Sequence, residues 1–369
     1  FGKVLEMAFI RLGVATAVDG VVDDLVANLA VVRPTIMAGV PRVFEKVYNR
    51  VVTGAREGGG VKYKIFQWAL DVGGRVSRLR QQGKQPSGML AFQHRLADKL
   101  VYSKLKARLG GRLRFLISGG APLSRPIAEF FHSCDILILE AYGLTETSAG
   151  STGNRPKFGT VGRTFKGVEA RIAEDGEIML RGRNIMRGYY NLPEATAEAL
   201  EPDGWFHTGD VGQIDADGFI TITDRKKDIL VTAGGKNIAP QNIEGQLKAS
   251  CPYVSQVVML GDRRPFCVAL VAINEETTGK WAREHGIESK DYADLASRPE
   301  VRQLIRDGID AVNANLASYE RIKDFHLLDH DLSVESGEMT PKMSVKRKVV
   351  ESRNQEILEG FYRETVARI

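Results

Sequence analysis

Apolar residues change their period twice along this chain, and the changes divide it. Val4, Leu5, Ala8, Phe9 and Leu12 recur three and four apart, the spacing of one helix face. Residues 31–40 are an apolar run closed by Pro41, which predicts a buried strand between two helices within residues 1–50. Residues 60–110 read as long helices broken by a loop at 83–88, with Leu96, Leu100, Leu105 and Leu109 as a core stripe. Short apolar runs at 113–117 and 135–140 each end in small residues and predict two strand units of an α/β sheet.

After Gly150 the pattern becomes β. Residues 168–173 and 177–181 flank Glu-Asp-Gly, and 211–215 and 219–223 flank Ala-Asp-Gly; these are hairpin signals of a β-subdomain over 151–223. From Asp224 the alternation stops. Strands are predicted at 254–260 and 268–273, and Ser297 with Glu300 forms a capping-box pattern before a helix carrying Leu304, Ile305, Ile309, Val312 and Leu316. The expected organisation is an α/β domain over 1–223 and a smaller α+β domain over 224–369, with the boundary between Thr223 and Lys227. A helical pattern beginning at Phe1 with no start signal before it is expected of a piece of a longer protein.

Composition supports this division. At 369 residues the chain exceeds one ordinary core, so two domains are expected. Apolar and charged fractions of 43% and 26%, with no apolar stretch of membrane-spanning length, predict folding in water. Cys134, Cys251 and Cys267 have neither metal-ligand nor disulfide-scaffold spacing and read as buried thiols of a reducing compartment. The net charge of +5 is uneven: between Arg75 and Arg114, Asp98 is the sole acid against eleven Lys and Arg. Such a face suits anionic head groups or polyphosphates, or is simply the solvated side of a helix whose leucines are buried. Nucleic acid is not indicated, because the basic residues lack aromatic interleaving or a docking motif.

Two runs carry the candidate chemistry, residues 204–210 (Gly-Trp-Phe-His-Thr-Gly-Asp) and 224–228 (Asp-Arg-Lys-Lys-Asp). A hairpin between them lets the carboxylate of Asp210 and the guanidinium of Arg225 return to one place, a pair suited to ribose hydroxyls. Upstream lies Tyr142-Gly143-Leu144-Thr145-Glu146. Gly143 permits a tight turn, Thr145 offers a hydroxyl to phosphate, and Glu146 offers a carboxylate to Mg²⁺, which prefers oxygen ligands. The Tyr142 ring can stack on a purine, and Gly119, Gly120 and Ala121 let one approach the backbone. Alone, the five-residue run is equally a strand end with Thr145 as a helix cap.

In this order the motifs resemble those of the adenylate-forming enzymes: acyl-CoA synthetases, luciferases and peptide-synthetase adenylation domains. The resemblance covers essentially the whole chain. It implies the C-terminal part of a large α/β adenylate-forming domain with a β-subdomain, followed by a small, mobile α+β domain. It further implies that Tyr142 and the Gly119–Ala121 turn contact adenine, Thr145 the phosphate, Glu146 the magnesium, and Asp210 and Arg225 the ribose. The hinge matches 224–228, with Lys227 at the pivot, and Gly235 matches the loop lining the pantetheine channel, a role that can hold together with that of a hairpin glycine needed for positive φ. Residues 176–182 resemble a mainly structural signature of the β-subdomain, and Trp205 and His207 read as packing.

The long-chain fatty acyl-CoA synthetase branch matches best, on residues 40–46 (Val-Pro-Arg-Val-Phe-Glu-Lys) and 224–228. This implies ATP-dependent activation of a long-chain fatty acid to acyl-AMP and transfer to coenzyme A, using ATP/AMP and Mg²⁺, in the cytoplasm with peripheral membrane contact. Two departures stand against the pattern. The family's Ser/Thr/Gly-rich phosphate loop lies upstream of the residues present. The lysine expected to complete adenylation aligns with Ser344, which leaves Lys342 as the preferred substitute and Lys346 as the second. An acyl-AMP ligase loading a carrier protein and a catalytically inactive nucleotide- or acyl-binding protein remain open beside the leading reading.

Overall fold

The computed structural model describes residues 2–18, 25–153, 157–341 and 343–366. The chain divides into two compact units, Phe1–Ile222 and Thr223–Ile369.

The first unit begins with α1 (Gly2–Leu12), α2 (Leu25–Val32), β1 (Ile36–Gly39) and α3 (Pro41–Glu57). The strand expected over 31–40 is therefore shorter. Val31 and Val32 complete α2, and the chain breaks at Arg33, whose φ of 50° precedes a proline that disfavours helix. Then come α4 (Gly60–Gln81), α5 (Gly88–Ala97), one wide π-type turn over Asp98–Tyr102, and α6 (Ser103–Arg108). The expected leucine stripe is split. Leu105 and Leu109 are buried, but Leu96 and Leu100 are exposed and Ala97 and Tyr102 turn inward instead. The π turn closes with i→i+5 bonds, which breaks the register between the two halves of the stripe.

A five-stranded sheet follows, ordered β1-β2-β3-β4-β5, from β2 (Phe115–Gly119), β3 (Ile138–Leu144), β4 (Ala149–Gly153) and β5 (Arg163–Thr164) with β1. The first two pairings are parallel and the last two antiparallel. Helix α7 (Arg125–Ser133) contributes Ile127, Phe130 and Phe131 to the core. Strand β3 does not stop at Glu140 as the apolar run suggested; it continues through Tyr142 and Gly143 by pairing with β4. The remainder is β6 (Val168–Ile172), β7 (Glu177–Gly182), α8 (Pro193–Ala199), β8 (Phe206–Ile214) and β9 (Ile220–Arg225), a sheet ordered β6-β7-β8-β9. Ile178, Leu180 and Ile220 form its core together with Tyr142. Both hairpin signals fall on connections between consecutive strands of this sheet.

The second unit contains β10 (Leu230–Val231), β11 (Asn237–Ile238), α9 (Pro240–Ser250), β12 (Val254–Leu260), β13 (Cys267–Ile273), α10 (Glu275–Glu284), α11 (Tyr292–Ser297), α12 (Pro299–Asn313), β14 (Ile322–Leu327), α13 (Arg347–Arg353) and α14 (Gln355–Val366). Strands β12 and β13 are buried at every position because the sheet β12-β13-β14 is covered on both faces. Val257, Met259, Ala269 and Val271 pack with α9 and α12, while Val258, Leu260, Val268 and Leu270 pack with Val350, Leu358 and Tyr362. The capping box is not formed. Pro299 opens α12 behind Arg298, and the Ser297 hydroxyl turns back to the carbonyl of Asp294. All three cysteines are buried, and burial pushes the thiols of Cys134 and Cys267 up to about 12 and about 11. Among the described residues no helix is long and apolar enough to cross a membrane.

Candidate functional site

In the first unit the candidate residues collect at the ends of β2 and β3. Gly119 pairs with Ala141 across the two parallel strands, so the Gly119–Gly120–Ala121 turn stands beside Tyr142. Gly120 takes a positive φ of 85°, and it and Ala121 are exposed. Gly143 serves a different purpose from the turn expected of it. An added Cβ there would lie 1.7 Å from the carbonyl oxygen of Ala149, so only glycine lets β4 approach β3 this closely.

The β3–β4 connection places Thr145 and Glu146 at its tip. Thr147, fully buried, closes it: its hydroxyl accepts from the Leu144 N–H (2.9 Å) and donates to the Ala149 carbonyl (2.8 Å). Thr145 is exposed at the turn, with its hydroxyl free of the capping role considered for it, because no helix follows. Glu146 is held from two sides. Its carbonyl accepts from the Met186 N–H (2.7 Å), and the Tyr189 hydroxyl donates to its Oε1 (3.1 Å). Burial first, and then the Glu146 carboxylate beside it, raise the pKa of the Tyr189 hydroxyl, so the phenol stays a donor.

Asp210 lies on β8 and is 2% exposed. The Tyr142 hydroxyl donates to its Oδ2 at 2.6 Å, and its own N–H donates to Thr208 Oγ1 at 3.1 Å. Thr208 in turn donates to the Ile178 carbonyl (2.6 Å). The buried Glu177 braces the approach, accepting from the Gly209 N–H at 2.7 Å and pairing with His207 Nδ1 at 3.0 Å. Trp205 is packing, as expected, with the guanidinium groups of Arg171 and Arg181 over its ring at 4.4 and 4.7 Å. The fold thus joins Tyr142 to Asp210 across 68 residues of sequence.

Glu140, two residues before Tyr142, is a buried carboxyl with a raised pKa of about 8, caused by desolvation that a hydrogen bond from the Leu123 N–H only partly offsets. Its Oε1 has no hydrogen-bond partner among the described residues, and neither has the hydroxyl of its register partner Ser118.

In the second unit, Asp224 organises the segment matched to the hinge. It is buried and accepts from the N–H groups of Arg225 (2.6 Å) and Gln241 (3.1 Å), capping the start of α9 from outside. Burial raises its pKa to about 6 despite these bonds. The Arg225 carbonyl accepts from Asp228 and Ile229, leaving Lys227 exposed on a closed turn. Gly235, with φ 74°, sits in the β10–β11 hairpin, where its N–H donates to the Thr232 carbonyl; the hairpin reading of this glycine holds. An added Cβ at Gly235 meets nothing within 4 Å.

Further along this unit, Met339 is bridged antiparallel to Val345, and the Thr340 N–H donates to the Ser344 carbonyl. The Ser344 N–H donates to Thr340 Oγ1 (3.2 Å). Lys342 lies outside the described residues. Lys346 is exposed, its N–H on the Glu338 carbonyl. Two carboxylates anchor this element: Glu338 pairs with His330 (3.0 Å), and Glu244 pairs with Arg347 (2.7 Å).

Several of these supporting residues carry no signal in the sequence. Tyr189 lies 43 positions from Glu146, and Arg347 lies 103 from Glu244. Thr147, by contrast, is visible as the second hydroxyl of the Thr-Glu-Thr run.

A nucleotide fits the residues of the first unit: an open glycine turn, an exposed threonine hydroxyl and an aspartate oriented by a tyrosine. Mg²⁺ fits as well, since it is ordinarily held by one or two carboxylates together with phosphate oxygens and water, and Glu146 supplies a carboxylate fixed through one oxygen. Among the described residues no cluster of three or more His, Cys, Asp or Glu could hold a metal alone.

Motifs of this kind on an α/β scaffold point to the class of adenylate-binding proteins, and the family of the chain is shown by its similarity to known proteins. Residues 2–190 match the family described as AMP-binding enzyme, and residues 227–366 match the AMP-binding enzyme C-terminal domain. The chain belongs to the AMP-binding enzyme family. It is 41% identical to a long-chain-fatty-acid–CoA ligase of Mycobacterium bovis over 98% of this chain and 60% of the relative, and 32% identical to a human long-chain-fatty-acid–CoA ligase over 96% of this chain and 57% of the relative. The chain therefore spans about three fifths of these relatives' length. The adenylation domain of a carboxylate reductase from Mycobacterium chelonae shares the fold, with a TM-score of 0.69 and 23% identity over 92% of this chain and 48% of that one.

Proposed function

We propose that the protein to which this chain belongs activates a long-chain fatty acid with ATP and passes the acyl group from its adenylate to coenzyme A. The observation that carries the nucleotide half is the Tyr142–Asp210 hydrogen bond beside the Thr145–Glu146 turn. A phenol hydrogen bond orients the carboxylate of the aspartate, and an oriented carboxylate suits the vicinal hydroxyls of a ribose. Thr145 would donate to the phosphate, and Glu146, oriented by Tyr189, would hold Mg²⁺. When bound, the magnesium ion offsets the repulsion between the fatty-acid carboxylate and the α-phosphate. Lys342 supplies the cation expected at Ser344, and Lys227 is the pivot between adenylation and transfer. Arg225 completes the ribose contacts and Gly235 keeps the thiol's path open. The choice of a long-chain acid and of coenzyme A rests on the relatives' names.

The test uses the full-length protein with ATP, Mg²⁺ and a series of fatty acids, following AMP release with and without coenzyme A. The expected result is AMP release with long-chain acids that coenzyme A accelerates. Release stimulated by an acyl carrier protein in place of coenzyme A would select the carrier-loading reading. No release with any acid would overturn the ligase reading and favour a binding protein, the outcome to which Ser344 points.

A further inference from the structure

We infer that α5 and the π turn after it form a docking face for anionic lipid surfaces. The orientation of α5 is fixed from its inner side. His94 pairs with Asp135 at 3.1 Å, Asp135 also takes Arg80 at 2.5 Å, and Ala97 and Tyr102 are fully buried. The outer side is apolar. Met89, Phe92, Leu96 and Leu100 are 70%, 63%, 41% and 38% exposed, and their spacing of three and four places them along one side of the helix. These include two leucines that periodicity alone assigns to the core.

Charge identifies the occupant. Arg95, Lys99, Lys104 and Arg108 are exposed beside this stripe. The acid in the same stretch, Asp98, is already engaged by Lys106 (2.7 Å) and Ser103 (3.1 Å). An apolar ridge bordered by cations, on a helix held to the protein by its other side, matches a surface offering acyl chains beneath negative head groups. A water-facing helix needs no Phe and Met at its most exposed positions, and a purely apolar partner would leave the cations unmatched. The sequence reading of a basic face suited to anionic head groups is thereby extended, because exposed apolar residues stand with the basic ones, and the reading of Leu96 and Leu100 as core is replaced. The inference does not depend on the ligase reading, and its test reads lipid binding without turnover.

The full-length protein is sedimented with phosphatidylcholine vesicles that contain or lack phosphatidylglycerol. Binding is expected to require phosphatidylglycerol and to weaken with salt. The pair Lys99→Glu and Lys104→Glu lowers the partition coefficient more than about tenfold. The pair Phe92→Ser and Leu96→Ser lowers it by about tenfold as well, with the melting temperature unchanged. Binding that ignores phosphatidylglycerol, or that survives both variants, overturns the inference. So does a fall in melting temperature or aggregation of the serine variant, because it would mean that the face is covered by other residues of the protein or by a protein partner.

Discussion

Two turns, one in each unit, are closed by a threonine hydroxyl, and they differ in what they present. In the first unit Thr147 closes the β3–β4 connection and leaves Glu146 at its tip, braced by Tyr189. In the second unit the Thr340 hydroxyl accepts from the N–H of Ser344, the position to which the sequence reading assigns the family's lysine. Both scaffolds are well hydrogen-bonded, so the difference lies in chemistry and not in order. On the proposed reading, the first turn keeps the group that its motif requires, whereas the second keeps the frame and changes the group.

The largest effect is expected at the intact turn. Glu146→Gln in the full-length protein should lower acyl-AMP formation by about a hundredfold or more, measured by pyrophosphate exchange, because an amide cannot replace a carboxylate on magnesium. At the altered turn, Lys342→Ala should lower the same rate by about tenfold to a hundredfold and leave thioester formation from preformed acyl-AMP unchanged. Normal exchange rates in both Lys342→Ala and Lys346→Ala would erase the comparison, since neither lysine would then stand in for the expected one.

A smaller effect is expected one bond away from the substrate. Tyr142→Phe removes the donor to Asp210 and should raise the KM for ATP by about fivefold to tenfold, the cost of about 1 kcal/mol, with a smaller change in kcat.

An effect of another kind concerns stability. Folding raises the pKa of Glu140 from an ordinary carboxylate value to about 8, so the folded state holds a proton that the unfolded chain releases at lower pH. The sign follows: stability is complete below the unfolded pKa and falls as pH rises from there towards 8, by at most about 1.4 kcal/mol per pH unit. Unfolding of the first unit followed between pH 5 and 8 should show this slope, and Glu140→Gln should flatten it.

Much of the fold was legible because burial has a period. The hairpins of β6–β7 and β8–β9 announce themselves through alternation and Asp-Gly turns, and the doubly covered strands β12 and β13 through unbroken apolar runs. Errors arose where one residue alters the backbone. Arg33 before a proline shortens the strand at 31–40, the π turn after α5 turns Leu96 and Leu100 outward, and Pro299 supplants the capping box. In the candidate site, the residues proposed to touch ligand could be named from the sequence because chemistry restricts their type. The residues that hold them were not: Tyr189 on Glu146, Glu177 on Gly209 and Arg347 on Glu244 are partners chosen by the fold across long separations.

The claim that unites these observations is that Asp210, held by Tyr142, receives the ribose of an adenylate. Its most direct test is calorimetric titration of the full-length protein with a non-hydrolysable acyl-sulfamoyl adenosine, comparing the unaltered protein with Asp210→Ala. Loss of a charge-assisted pair of hydrogen bonds should weaken binding by about a hundredfold, with no loss of folded protein. Equal affinity in the two proteins would contradict the account.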